Sequence, residues 1–155
     1  MAEYVNLEMI DAAVAAIKSK TEHQPKVGLI LGSGLGDLAD SVQPADYIPF
    51  GEIPNWPKST VQGHKGRLVI GELENKSVMI MQGRVHFYEG YPISMIGFPI
   101  RVMIRMGIEN GHKHYPDLYL HIVGTDPGMD LLQGHKGSHS KHKQRLGLKE
   151  QLKVL

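Results

Sequence analysis

The residues of this chain best equipped for chemistry stand together in QGRVHFYEGYP, Gln82 to Pro92. Arg84 is a fixed cation that can grip phosphate with a bidentate fork. His86, two residues on, points the same way if the segment is extended. Glu89 is placed to orient or charge that imidazole. Tyr88 offers an apolar face with a hydroxyl, which suits a sugar. The same residues also read as a structural loop closed by an Arg–Glu pair, and on their own they leave both readings open.

Two more stretches carry donors in glycine-rich turns. In LILGSGLGD, Gly32, Ser33, Gly34 and Gly36 follow an apolar run. Such a turn can aim backbone N–H groups at an anion, with the Ser33 hydroxyl and a following helix start adding to it. It is not a dinucleotide fingerprint, because the third glycine would fall where Asp37 stands, and no Gly-Lys-Ser/Thr follows to make a P-loop. A plain strand-to-helix turn is the other reading. In VQGHKGRL, His64 sits between glycines. By itself it reads as a surface-loop histidine.

These segments need a scaffold, and the patterning supplies one. LEMIDAAVAAIKSK spaces Leu7, Ile10, Val14 and Ile17 as an amphipathic helix with lysines near its C-terminus, where they suit the dipole. VGLIL, Val27 to Leu31, is a short apolar run typical of a buried strand. RLVIGEL and SVMIMQG, joined through ENK, predict a hairpin. SMIGFPIRVMIRMG predicts a helix capped by Ser94, kinked or starting late at Pro99 and ending at Gly107, with Ile96, Ile100, Met103 and Met106 on one face. The Arg84 loop leaves the C-terminal end of a buried strand, where α/β sheets place their ligands.

At 155 residues the chain is long enough for one domain with a real core, and 41% hydrophobic against 21% charged residues makes it globular. A net charge of +1 gives no global pull toward nucleic acid or anionic membrane. The chain has no cysteine, which excludes disulfides, thiolate metal sites and Cys nucleophiles. No apolar run approaches the roughly 18 residues of a membrane span. Glu3, Glu8 and Asp11 precede the first lysine, unlike a signal peptide, so a cytoplasmic protein is expected.

The averages conceal a break. Residues 1–110 hold 10 Lys+Arg, 12 Asp+Glu and 3 His; residues 111–155 hold 7, 4 and 6. The first part is therefore −2 and patterned, the second +3 and His-rich. After Asn110 one strand is expected, Leu118 to Val123, and a short helix from Leu146 to Leu155. Between them QGHKGSHSKHKQR is polar and basic and reads as poorly ordered.

Taken in order, LGSGLG, IPNWPKSTVQGHKGRLVIGEL and MQGRVHFYEGYP…FPIRVM resemble the purine nucleoside phosphorylases of the trimeric type, nearly continuously from Ile10 to Asn110. The resemblance implies an α/β fold with a mixed, partly barrel-like sheet and flanking helices, incomplete in this chain. It implies a homotrimer and phosphorolysis of purine (deoxy)ribonucleosides to free base and (deoxy)ribose 1-phosphate. Phosphate is then a co-substrate, with no metal or organic cofactor, no nucleic acid and no membrane as partner. It assigns Ser33, Arg84 and His86 to phosphate, Tyr88 and His64 to the ribose side, and Glu89 to support of the phosphate site; His86 and Glu89 are its catalytic candidates. An oxocarbenium-like transition state, as in glycoside cleavage, suits an anion held in line below the sugar. Charge-assisted bonds from Arg84 and His86 would be worth about 1.5–3 kcal/mol each.

The resemblance stops where the break lies. The family continues with a buried apolar strand that leads to an Asn-Ala-Ala-Gly-Gly loop and, later, the Glu and Asn that hold the purine, and residues 111–155 contain neither that loop nor the purine-holding motifs. The expectation is a domain over 1–110 joined to an unrelated basic tail over 111–155. A shifted reading frame, a fusion or an alternative product would each create such a junction. A non-catalytic fragment that binds phosphate weakly, or a remnant without function, is the alternative to an enzyme. In the tail, His112 and His114, or His135, His139 and His142, form the candidate metal set. Without thiolates or fixed partners they read better as a solvated segment than as a metal site.

Overall fold

The computed structural model describes residues 4–31, 36–60, 62 and 65–108, and the backbone of 119–123. The helix expected at the start runs from Leu7 to Lys18 (α1), with the Asn6 side chain accepting from the Met9 N–H at 2.9 Å as its cap. Its buried face is Ile10, Ala13, Val14 and Ile17. Leu7 departs from the expected stripe and is 67% exposed. It is the first helical residue, before the helix reaches the sheet.

Five strands follow: β1 Val27–Leu31, β2 Ala45–Pro49, β3 Arg67–Leu73, β4 Lys76–Gln82 and β5 Tyr119–Val123. Their order in the sheet is β2-β3-β4-β1-β5. The predicted hairpin is β3–β4, paired antiparallel from Arg67↔Gln82 to Leu73↔Lys76. Glu74 and Asn75 both take positive φ, 50° and 61°, which gives the turn a twist that matches right-twisted strands. β1 lies parallel to β4, and every one of its residues is buried. β2 was not foreseen; it is a five-residue strand with Asp46 inside and Pro49 at its end, antiparallel to β3. The sheet is mixed and open, with β2 and β5 at its ends, so these strands do not close the barrel-like form that the resemblance implied.

The second helical region is two pieces. α2 spans Ile93–Ile96 and α3 Phe98–Arg105, separated at Gly97, with Pro99 in the first turn of α3. This is the late start expected from Pro99, which lacks only an N–H that would be unpaired there anyway. Ser94 is not the cap: Pro92 holds that position and Ser94 lies inside α2. Gly107, at φ 97°, closes the helix as expected.

One face of the sheet, with Ile30, Ile48, Leu68, Ile70, Met79 and Met81, packs against α1 and α3 through Ile17, Phe98, Val102 and Met103. Trp56 stands among them, 5.5 Å from the Phe50 ring centroid and edge-on to Phe98 at 6.1 Å. The other face, with Leu29, Leu31, Val69, Val78 and Ile80, is covered by Leu38 and Ala39 of a short 3-10 helix, Gly36–Ser41. Among the described residues no helix is long and apolar enough to cross a membrane. The terminal helix expected over Leu146–Leu155 and the histidines at 112, 114, 135, 139 and 142 lie outside the described residues.

Candidate functional site

The parallel register sets Leu31 beside Gln82. β1 and β4 therefore end side by side in the interior of the sheet, and Gly83 follows directly on β4. Ser33 and His64 themselves fall outside the described residues. The described residues Thr60 and Gly66, on either side of His64 in sequence, are both hydrogen-bonded. On one side the Thr60 N–H donates to Glu89 at 2.6 Å; on the other the Gly66 N–H donates to the Gln82 carbonyl at 3.0 Å.

Gly83 takes φ 117°, a conformation that side chains resist, and so breaks the strand alternation just before Arg84. Arg84 then lies 8% exposed in a cleft of about 60 Å³ beside Ile30, Phe50, Met81 and Val85. Its Nε and Nη1 are buried and have no hydrogen-bond partner among the described residues. No ion pair links it to Glu89, which removes the Arg–Glu closure of the purely structural reading. A guanidinium in apolar surroundings with two nitrogens unspent is expensive unless it meets an anion.

His86 is half-buried and stacks on Tyr88, with ring centroids 4.9 Å apart and planes within 10°. Tyr88 is 73% exposed, so the stacked pair faces outward while Arg84 faces inward. The two residues thus share a loop but occupy different surroundings.

Glu89 is the fastener of this loop. Its Oε1 accepts from the His86 N–H at 2.8 Å, and its Oε2 accepts from the Thr60 N–H at 2.6 Å and the Thr60 hydroxyl at 3.0 Å; the Ser59 hydroxyl donates at 3.1 Å. Burial would raise its pKa, but these bonds outweigh burial and hold the carboxyl below its ordinary range. Glu89 therefore orients His86 through the main chain and ties the Ser59–Thr60 segment to the Arg84 loop. Tyr91 adds a second tie, its hydroxyl donating to the Lys58 carbonyl at 2.8 Å and accepting from the Lys58 N–H at 3.1 Å.

Residue types alone did not expose the network on the other side of the sheet. Lys65 Nζ donates to both Asp40 carboxylate oxygens at 3.0 Å, and Arg67 Nη2 reaches the same carboxylate at 3.4 Å. The Lys65 bond chiefly holds Asp40 below the usual carboxylate range, against the opposing effect of burial. Gln82 completes the network, with its amide donating to the Gly36 carbonyl at 2.6 Å and accepting from Arg67 Nε at 2.7 Å. The signal was in the sequence: a polar residue ending the apolar run SVMIM, just before Gly83.

The chain has relatives among known proteins in both sequence and structure. No family model matches it. It is 50% identical over 105 residues to purine nucleoside phosphorylase 1 of Geobacillus stearothermophilus, covering 68% of this chain and 38% of that protein. Among solved structures it superposes with a TM-score of 0.68, at 39% identity, on isoform 2 of purine nucleoside phosphorylase from Schistosoma mansoni in complex with cytosine and ribose-1-phosphate. That match covers 79% of this chain and 40% of the other. A second Schistosoma phosphorylase, in complex with hypoxanthine, matches at 36% identity with a TM-score of 0.66. The chain thus spans about two fifths of the length of the proteins it matches.

Proposed function

Because this chain is a homologue of the trimeric-type purine nucleoside phosphorylases along the stretch it shares with them, we propose that it carries the phosphate and ribose side of such a site. Arg84, with Ser33 and His86, is the phosphate-binding set. Tyr88 and His64 serve the ribose, and Glu89 holds the loops in register. The reaction is phosphorolysis: the bond from the purine nitrogen to the anomeric carbon breaks, phosphate oxygen bonds to that carbon, and the purine leaves with a proton.

The single observation that carries this reading is the Arg84 guanidinium, buried at the C-terminal ends of parallel strands with Nε and Nη1 unpartnered among the described residues. In water-poor surroundings it offers a dianion two directed, charge-assisted bonds. A homologue's complex with ribose-1-phosphate supports a sugar phosphate as the ligand chemistry. As the resemblance has it, no metal takes part, the enzyme works in the cytoplasm, and the assembly is a homotrimer.

A second reading is favoured by one observation: the chain spans 38% of the relative's length, and residues 111–155 lack the family's purine-holding motifs. On that reading the 155-residue chain binds phosphate without turning over nucleoside. Following inosine with and without phosphate separates the two. Phosphate-dependent release of hypoxanthine supports the enzyme; phosphate binding with no release supports the second reading; neither binding nor release contradicts both.

A further inference from the structure

We infer that Gln82 is a positioning residue that holds the strand end launching Arg84 in register with the Gly36 end of the 3-10 helix and with Arg67 of β3. The inference rests on the phosphate reading above. Gln82 ends β4, two residues before Arg84, and is 2% exposed. Its carboxamide is spent in both directions. Nε2 donates to the Gly36 carbonyl at 2.6 Å and to Asp40 Oδ1 at 3.4 Å, while Oε1 accepts from Arg67 Nε at 2.7 Å. Its backbone carbonyl accepts from the Gly66 N–H at 3.0 Å.

Each of these partners is the anchor of something else. Gly36 opens the 3-10 helix, and Leu31, the last residue of β1, is the β-partner of Gln82. Gly66 follows the His64 segment. One residue therefore ties the start of the 3-10 helix, Gly66 ahead of β3 and the strand end that launches Arg84. The Gly66 bond is main chain and any residue would keep it, but the Gly36 and Arg67 bonds need a side chain that offers a donor and an acceptor together, as an amide does. Glutamate lacks the donor for Gly36 and would face Asp40 with a like charge. Methionine fills the volume but offers neither bond.

Titration of the full chain with inorganic phosphate, followed by calorimetry, tests this. Gln82→Met is expected to weaken phosphate binding about tenfold, the equivalent of one buried hydrogen-bond link. Ile70→Val, a β3 core change away from the loops, is expected to lower the melting temperature yet leave phosphate affinity within about twofold of the parent. Where Gln82→Met fails to fold, Arg67→Lys serves: it keeps the charge but not the directed Nε bond, and an approximately threefold loss is expected. Equal phosphate affinity in Gln82→Met and the parent overturns the inference. So does an equal loss in Ile70→Val, because the effect would then track stability alone. If the parent chain shows no saturable phosphate binding, the phosphate reading itself has failed, and the positioning role fails with it.

Discussion

A buried guanidinium with Nε and Nη1 unpartnered among the described residues is held at a cost of about 1–3 kcal/mol or more per orphaned donor. Removing it should relieve the fold and disable the ligand. Arg84→Met is expected to leave the melting temperature unchanged or raised, and to abolish the thermal shift produced by phosphate. Glu89 behaves the opposite way, because its carboxylate joins two segments. Its folded pKa lies below the ordinary value of 4.5, so its contribution is present above that pH and is lost as pH falls through the lower, folded value. Glu89→Gln should lower stability at neutral pH by about 1–2 kcal/mol, a figure reduced for its partial exposure. The gap between parent and variant in melting temperature should close as pH is lowered below about 4. Arg84, His86, Tyr88 and Glu89 were legible as a group from type and spacing. Their partition, with Arg84 turned inward and His86 stacked on Tyr88, was not, because the φ of Gly83 decides it and the sequence states only that a glycine is there. Gln82 stood in the same stretch, but its role depends on Gly36 and Arg67, 46 and 15 residues away in sequence.

The elements that carry these residues follow local rules more closely. α1, β1, the β3–β4 hairpin and the Pro99 start of α3 could be read from periodicity, a turn and a proline, because each is set by contacts near in sequence. β2 could not, since it has no apolar alternation and exists only through its pairing with β3. That pairing is tight enough to test. A Cβ on Gly71 would run into the Pro44 carbonyl oxygen and lie 2.9 Å from the Ala45 Cα, both backbone atoms that cannot swing aside. Gly71→Ala is expected to cost about 1–3 kcal/mol by displacing β2, seen as a lower denaturant midpoint. The stripe expected along α3 shifted for a related reason. Phe98, Val102 and Met103 are buried, while Ile100 and Met106 are only partly so, because the break at Gly97 restarts the helix and turns its face.

At the scale of the molecule, both faces of the sheet are covered and its helices pack on one of them, so residues 4–108 hold a two-sided core around the strands that launch the site. The likeness to the phosphorylases covers 68% of the chain by sequence and 79% by structure, and about two fifths of the relatives. Binding and turnover therefore separate: inosine incubated with this chain and phosphate is expected to yield hypoxanthine far more slowly than with a full-length relative, measured side by side. Phosphate binding at Arg84 is read by calorimetric titration of inorganic phosphate into the purified chain and into Arg84→Ala. A saturable, single-site heat is expected for the parent and none for the variant. Identical isotherms for the two, or no saturable heat for the parent, would contradict phosphate binding at Arg84.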